Sequence, residues 1–277
     1  MSPLSGKRIA LLEGRLHGEL AELVRRHGGE PISVPALREQ PLGNTQEVDA
    51  FITHLGQAAF HVAIFSTGVG FNTLVREAEQ LGRLPELLTG LVGVTTVCRG
   101  PKPTAALRRH GVAVAVQIQA PYTTVELLET LANIELAERG VALVHYGERN
   151  VPLTAALQAR GARLHELCLY EWLLPADLGP LQQLVQDLIA GHLDAIAFTS
   201  QVQVRHLWQV AATLRLAEAL TQALTTQCLV AAVGPTCATA LTAVGVTPQV
   251  VPSHPKMGPM VAELTAALQT RLNRASP

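Results

Sequence analysis

The chain contains an internal repeat with an offset of 133 or 134 residues. Three pairs of segments keep one order in both halves: Gly14 with Gly28 and Gly147 with Gly161; Phe65-Ser66-Thr67 and Phe198-Thr199-Ser200; and the pattern G-P-x5-L-x3-G-V starting at Gly100 and at Gly234. Any α/β fold places glycines after strands and helices, so one match alone indicates little. Three matches in one order favour a duplicated unit. Two similar halves predict two lobes, and small ligands usually bind in clefts between lobes.

Short apolar runs alternate with segments of helical period along the whole chain. Strands are predicted at residues 8–12, 32–34, 62–65, 93–97, 112–116, 141–144, 195–198 and 228–233. Such alternation predicts right-handed βαβ units and mostly parallel sheets, and therefore an α/β fold.

Composition narrows the class of protein. The 277 residues favour two domains, and 48% hydrophobic with 16% charged residues supply apolar material for two cores. The net charge of −1 argues against nucleic acid as the main partner. The four cysteines (Cys98, Cys168, Cys228 and Cys237) show no metal-ligand spacing and fit a reducing compartment. Without a membrane-length apolar run or a signal segment, the prediction is a cytoplasmic protein that binds no membrane and no metal.

Small and hydroxyl-bearing residues recur where predicted strands end and helices begin. Free backbone N–H groups and the helix dipole favour anions there, and hydroxyls add donors. The candidate binding residues are Gly14, Arg15, Ser66, Thr67, Gly68, Gly100, Lys102, Thr104, Gly147, Arg149, Thr199, Ser200, Gln201, Gly234, Pro235 and Thr236. The alternative is that these residues are only N-caps and turn formers. Because strand C-termini form the ligand edge of parallel α/β sheets, the set as a whole favours binding.

Other site motifs are incomplete or missing in the sequence. The segment Gly68-Val69-Gly70-Phe71-Asn72-Thr73 lacks the last small residue of a dinucleotide fingerprint, and no acidic residue ends a strand about twenty positions later. The sequence has no GxxxxGK[ST], GxSxG or HExxH motif, and its ten histidines are scattered. No cofactor is therefore expected.

Tyr170 lies in an extended segment, Leu167 to Pro175. One interpretation is a tyrosine packed between domains. The other is a phenol that gives a proton or a hydrogen bond to a leaving hydroxyl.

Taken together, the order of these segments resembles the uroporphyrinogen-III synthase family. The segments that carry the resemblance are Phe65 to Gly70, Cys98 to Thr104, Tyr146-Gly147-Glu148, Leu169 to Trp172, Phe198 to Ser200, and Val233 to Thr236. The STGVGF and RGPKP stretches are similar to a bacterial branch of the family. Many other members carry a TS-x-x-A-V type segment at the first position.

The resemblance implies two flavodoxin-like lobes with parallel sheets, joined by a two-stranded connector. One lobe would combine residues 1–35 with 176–277, and the other would take residues 38–167. The linkers would lie at about 34–37 and 168–175.

The resemblance also implies a cyclising hydro-lyase of heme and porphyrin biosynthesis, monomeric and without a cofactor. Hydroxymethylbilane, a polycarboxylate tetrapyrrole, would lose its hydroxyl to give an azafulvene, the last pyrrole ring would invert through a spiro intermediate, and closure would give uroporphyrinogen III. Tyr170 matches the family tyrosine that assists loss of the hydroxyl. Lobe closure would position the bilane and exclude water, and positioning of that kind can supply roughly 7–11 kcal/mol.

Two other classes of function remain open at this point. A synthase-like module could sense a tetrapyrrole without converting it, although the chain after Met257 offers only one helix and no room for a DNA-reading domain. A two-lobed sugar or amino-acid binding protein would usually be exported.

Overall fold

The structure of the protein is a computed structural model that describes residues 4–275 and the side chains of residues 4–271. Over that range the backbone forms eleven strands and twelve helices. The strands are β1 (Arg8–Leu11), β2 (Glu30–Ser33), β3 (Arg38–Pro41), β4 (Val62–Phe65), β5 (Thr95–Cys98), β6 (Val116–Gln117), β7 (Gly140–Val144), β8 (Arg163–Leu167), β9 (Tyr170–Leu173), β10 (Ala195–Phe198) and β11 (Leu229–Ala232). The helices are α1 (His17–Arg26), α2 (Thr45–Gly56), α3 (Gly68–Gln80), α4 (Leu84–Val92), α5 (Pro101–Arg109), α6 (Thr124–Leu131), α7 (Val151–Ala159), α8 (Gly179–Ile189), α9 (Gln201–Thr213), α10 (Ala217–Thr226), α11 (Pro235–Ala243) and α12 (Met257–Ala275).

The chain divides into two compact units. Unit 1 comprises Met1–Arg38 and Leu173–Pro277, and unit 2 comprises Glu39–Trp172. The two division points fall inside β3 and β9, which pair with each other as a two-stranded sheet. Within the described residues, no helix is both long enough and apolar enough to span a membrane.

Unit 1 contains a parallel sheet in the order β11-β10-β1-β2. Every residue of β10 and β11 is buried, because helices cover both faces of a parallel sheet. Successive residues of a strand point to opposite faces of the sheet. Ile196 and Phe198 pack towards α8 to α11, whereas Ala195 and Ala197 pack towards α1 and α12.

Unit 2 contains a five-stranded parallel sheet in the order β6-β5-β4-β7-β8. Its central strand β4 reads Val-Ala-Ile-Phe and is buried throughout, as a continuous apolar run predicts. Ala63 and Phe65 pack against helices α2 to α5, and Val62 and Ile64 pack towards α6 and α7 on the other face.

The two sheets have the same arrangement, with strands exchanged between the halves of the chain. In unit 1 the strand β1 lies between β2 and β10, with β11 next, and in unit 2 the strand β7 lies between β8 and β4, with β5 next. The first half of the repeat thus supplies β1 to unit 1 and β4 and β5 to unit 2, and the second half does the reverse. Both units follow the flavodoxin-type order once this exchange is allowed for. The predicted α/β class with parallel sheets and a repeat is confirmed.

One strand was predicted with the wrong bounds and another was not predicted, and both differences have identifiable reasons. The strand predicted at 112–116 shrinks to Val116–Gln117, because the Thr96 hydroxyl donates to the Ala113 carbonyl (2.6 Å) and accepts from the Ala115 amide (3.1 Å) in place of ladder bonds. The edge strand β8 (Arg163–Leu167) was not predicted, because its Arg-Leu-His-Glu-Leu sequence has no apolar run.

Candidate functional site

Three neighbouring strands of unit 2 end at one edge of the sheet, and each is followed by a predicted binding segment. Strand β4 leads to Ser66 and Thr67, β5 leads to Arg99 and Gly100, and β7 leads to the loop that contains Gly147. Since β5, β4 and β7 are adjacent and parallel, their carboxyl ends meet at this edge. The sheet therefore gathers most of the predicted residues of unit 2 into one region.

Tyr170, the predicted catalytic residue, is buried, with 1% of its surface exposed. Its hydroxyl lies 3.0 Å from the hydroxyl of Thr67. The Tyr170 ring meets the Trp172 ring edge-on, with centroids 5.4 Å apart. Thr67 is also the N-cap of α3 and accepts a hydrogen bond from the Gly70 amide at 3.0 Å. Thr67 is thus both a helix cap, as the alternative interpretation of such residues proposed, and the hydrogen-bond partner of the phenol.

Gly147 is required at its position by both its backbone and its neighbours. Its φ is +52°, a conformation that residues with a side chain rarely adopt. A Cβ atom there would lie 2.4 Å from Trp172 Nε1 and 2.7 Å from Tyr170 Cε2. The β7–α7 loop consequently packs directly against the rings of Tyr170 and Trp172.

Arg99 is a functional candidate that the sequence analysis missed. Its guanidinium lies 5.2 Å from the centroid of the Tyr146 ring, within the range of a cation–π contact. Burial lowers the pKa of Arg99, and the phenols of Tyr146 and Tyr170 partly oppose that shift. Among residues 4–271 no carboxylate forms an ion pair with Arg99. A cation directly after a strand, in the RGPKP stretch, was the sequence signal that could have identified it.

The start of α5 combines close packing with one exposed charge. A Cβ on Gly68 would lie 2.8 Å from the carbonyl oxygen of Lys102, and one on Gly100 would lie 3.3 Å from the Tyr122 ring. Thr104 is buried, and its hydroxyl donates to the Gly100 carbonyl at 2.9 Å. Its donor is therefore used inside the helix, whereas the Lys102 side chain is exposed. Ser66 is buried beside β7, and its amide donates to the Val144 carbonyl.

The charge of Arg149 is already paired within unit 2. Its guanidinium donates two hydrogen bonds to the Glu166 carboxylate, at 2.6 and 3.0 Å. The same carboxylate accepts from the Thr154 hydroxyl (2.8 Å) and lies 2.7 Å from Nε2 of the buried His145. Burial raises the pKa of Glu166, but hydrogen bonds from these three partners outweigh it and lower the pKa overall. Arg149 thus contributes to the framework beneath the β7–α7 loop.

His145 is held as a neutral imidazole. The Asn150 amide donates to its Nδ1 at 3.2 Å, so the proton lies on Nε2 and points to Glu166. Burial lowers the pKa of His145, and the bond to Glu166 only partly opposes this. Because Tyr146 and Gly147 follow His145 directly, this pair fixes the start of the loop under Tyr170.

The corresponding edge of unit 1 carries a carboxylate of its own. Glu13 Oε1 accepts from the amides of Arg15 (3.1 Å) and Leu16 (3.3 Å), and its Oε2 accepts from the Thr199 hydroxyl. Part of the donor set predicted around Gly14, Arg15 and Thr199 is therefore occupied by the protein itself. The contact between Glu13 and Thr199 joins distant positions of the chain and could not be predicted from the sequence.

The start of α9 is likewise satisfied internally. The side-chain oxygen of the buried Gln203 accepts from the amides of Thr199 (2.7 Å) and Ser200 (3.3 Å), and Ser200 forms a capping box with Gln203. Gln201, the first residue of α9, is half-buried. As at Thr67, the N-cap interpretation describes what Ser200 does within the fold.

The start of α11 combines a closely packed N-cap with an exposed first turn. Gly234 is the N-cap, and a Cβ there would lie 2.8 Å from Cβ of Pro255. Pro235 and Thr236 form the exposed first turn. Within the described residues, His, Cys, Asp and Glu side chains form no group of three or more that could hold a metal ion.

Comparison with known proteins gives a consistent result. The family model described as uroporphyrinogen-III synthase HemD matches residues 18–262. The protein named "Uncharacterized protein YjjA" from Bacillus subtilis (strain 168) is 29% identical over 261 residues, which cover 94% of this chain and 96% of that protein.

Solved structures agree with the family match. A mutant uroporphyrinogen III synthase from the extremely thermophilic bacterium Thermus thermophilus is 28% identical and superposes with a TM-score of 0.76, covering 96% of this chain and 100% of that one. The uroporphyrinogen-III synthetase from Helicobacter pylori 26695 is 16% identical with a TM-score of 0.53, covers 95% and 99% of the two chains, and supports the fold alone. The chain therefore belongs to the uroporphyrinogen-III synthase family.

Proposed function

We propose that this protein is a uroporphyrinogen-III synthase that converts hydroxymethylbilane into uroporphyrinogen III with loss of water and inversion of the last pyrrole ring. The observation that carries the proposal is the hydrogen-bonded pair Tyr170–Thr67 at the carboxyl edge of the unit 2 sheet. The family match and the Thermus thermophilus structure support the same reaction.

The reaction starts with the loss of a hydroxyl group, which leaves most easily when it receives a proton. A phenol within hydrogen-bonding reach of the leaving hydroxyl, directly or through one relay group, can donate that proton. Because Tyr170 is buried and Thr67 is half-buried, we propose that the proton passes from the phenol to the substrate through the Thr67 hydroxyl.

The predicted residues whose donors are not used within the fold would serve as binding groups for the acetate and propionate side chains of the bilane. In unit 2 these are the exposed Lys102 and the backbone amides around Gly68, Gly100 and Gly147. In unit 1 the first turn of α11 at Pro235 and Thr236 remains exposed. Most of the binding energy would thus come from many local donors, with no strongly basic surface required.

The test is to incubate the purified protein with hydroxymethylbilane and to separate the type I and type III isomers after oxidation. Formation of isomer III above the spontaneous background is expected. Formation of isomer I alone, with a tetrapyrrole still bound, would instead identify a sensing module without turnover.

Tyr170→Phe tests the role of the phenol. We expect turnover to isomer III to fall by about 100-fold, the lower range for loss of a general acid, while the urea midpoint of unit 2 changes little. Full turnover in a folded Tyr170→Phe variant would remove Tyr170 from the mechanism.

A further inference from the structure

Arg99 differs from the other cations near this edge of unit 2. The charge of Arg149 is paired with Glu166, and Lys102 is exposed to solvent. Arg99 is half-buried, lies against the Tyr146 ring, and has no ion pair within residues 4–271. A partly desolvated cation without a counterion is unfavourable, and a ring face compensates for only part of that loss.

The position of Arg99 adds to this imbalance. It directly precedes Gly100, the N-cap of α5, and its amide donates to the Phe65 carbonyl at the end of β4, near the start of α3. Helix N-termini carry partial positive charge, so a cation placed beside them is electrostatically disfavoured by its own protein. The partial burial of Arg99, the absence of a counterion among the described residues and the nearby helix N-termini all favour binding of an anion from outside the chain.

We propose that Arg99 binds a carboxylate of the substrate and anchors one acidic side chain of the tetrapyrrole on unit 2. The inference rests on the proposed function for the nature of the ligand. A guanidinium suits this role because its planar fork donates two parallel hydrogen bonds to a carboxylate. The Arg99 guanidinium lies over the Tyr146 ring, and the His145–Glu166 pair fixes the residue before Tyr146.

The repeat explains why this anchor belongs to unit 2. Tyr146 and Glu13 occupy equivalent positions, 133 residues apart. In unit 1 the Glu13 carboxylate already occupies the loop amides and places negative charge at the edge. In unit 2 an aromatic ring stands at that position, and the neighbouring cation remains available.

The experiment measures binding of uroporphyrin III, an unreactive octacarboxylate, by fluorescence titration at two salt concentrations. We expect Arg99→Gln to raise Kd about tenfold or more and to weaken the salt dependence. Arg99→Lys should recover only part of the affinity, because an ammonium group is a point charge. Arg109→Gln is the matched control, because it removes one exposed positive charge from the last turn of α5.

A second readout distinguishes anchoring from a structural role. With hydroxymethylbilane, KM should rise more than kcat falls in both Arg99 variants, and isomer III should remain the product. If circular dichroism shows that Arg99→Gln is unfolded, the Kd, KM and kcat of Arg99→Lys alone test the inference.

The inference is overturned if the Arg99 variants bind uroporphyrin III as tightly as wild type, or if Arg109→Gln weakens binding equally. Failure of the proposed function looks different, because wild-type protein would then bind uroporphyrin III through Arg99 and form no isomer III.

Discussion

Replacing Gly147 by alanine perturbs the fold and the candidate site at the same point. The new Cβ would lie 2.4 Å from Trp172 Nε1, 2.5 Å from its Cδ1 and 2.7 Å from Tyr170 Cε2. The exposed fractions of Tyr170 and Trp172 are only 1% and 8%, so neither ring has free space to move into. Either the rings or the loop must therefore shift.

The expected loss of stability follows from three terms. A left-handed backbone conformation costs an alanine about 1–2 kcal/mol, and overpacking of a buried site costs about 1–3 kcal/mol. Alanine also reduces the conformational freedom of the unfolded chain, which returns about 0.4–1 kcal/mol. The net expected loss of stability in unit 2 is about 1–5 kcal/mol.

Gly82→Ala isolates the overpacking term. Gly82 also lies in unit 2 and has a positive φ of +69°, but nothing lies within 4 Å of the added Cβ. The backbone and unfolded-state terms are therefore shared by the two variants. We expect Gly147→Ala to lose about 1–3 kcal/mol more than Gly82→Ala.

Urea denaturation provides the assay, followed by the fluorescence of Trp172 in a Trp208→Phe background. Trp172 belongs to unit 2 and Trp208 to unit 1, so the signal reports unit 2 alone. With a slope of about 1–3 kcal/mol per molar urea, the midpoints should differ by about 1 M. Gly147→Ala should also reduce turnover, because Tyr170 is displaced. Equal midpoints for the two variants would refute the reasoning about the two rings.

Two further predictions concern the framework of unit 2. Because burial lowers the pKa of His145, the unfolded chain takes up a proton near pH 6.5 that the folded protein resists. The urea midpoint of the wild-type protein should therefore decrease as the pH is lowered from 7.5 to 5.5, and His145→Gln should reduce this decrease. A His145→Gln variant with the same pH profile as the wild-type protein would contradict this reasoning. Thr67→Val removes the N-cap of α3 and the partner of Tyr170, so it should cost about 1–2 kcal/mol and lower turnover about as much as Tyr170→Phe. Thr67→Ser keeps the hydroxyl and serves as the control; equal effects of the two substitutions contradict the role of the hydroxyl.

The parts of the fold that could be predicted are those with strong local signals. The buried strands β4 and β10 are uninterrupted apolar runs, and both were identified within their correct bounds. The repeat revealed two related units, since the glycines and hydroxyl residues at strand ends recur at one offset. The polar edge strand β8 gave no such signal, and the side-chain bonds of Thr96 that replace part of β6 cannot be read from periodicity.

The sequence predicted the segments of the candidate site, and it gave little information on the contacts among them. The strand C-termini indicated the candidate binding segments, and the family resemblance indicated Tyr170. The partners of these residues depend on contacts between distant positions, such as Thr67 with Tyr170 and Glu13 with Thr199. Sequence separation hides such pairs, so neither the paired state of Arg149 nor the unpaired charge of Arg99 could be expected.

The exchange of strands between the halves affects the order in which the protein forms on the ribosome. Strand β1 pairs with β2 and with β10, and β10 emerges only after all of unit 2 has been synthesised. At about 5–20 residues per second, the N-terminal βαβ segment waits roughly 10–30 s for its partner. During that interval the apolar residues Ile9 and Leu11 lack the neighbour that covers them. Unit 2 is contiguous in sequence, so it can complete its sheet first. The sheet of unit 1 is completed afterwards, when β10 and β11 add to the N-terminal segment that contains β1 and β2.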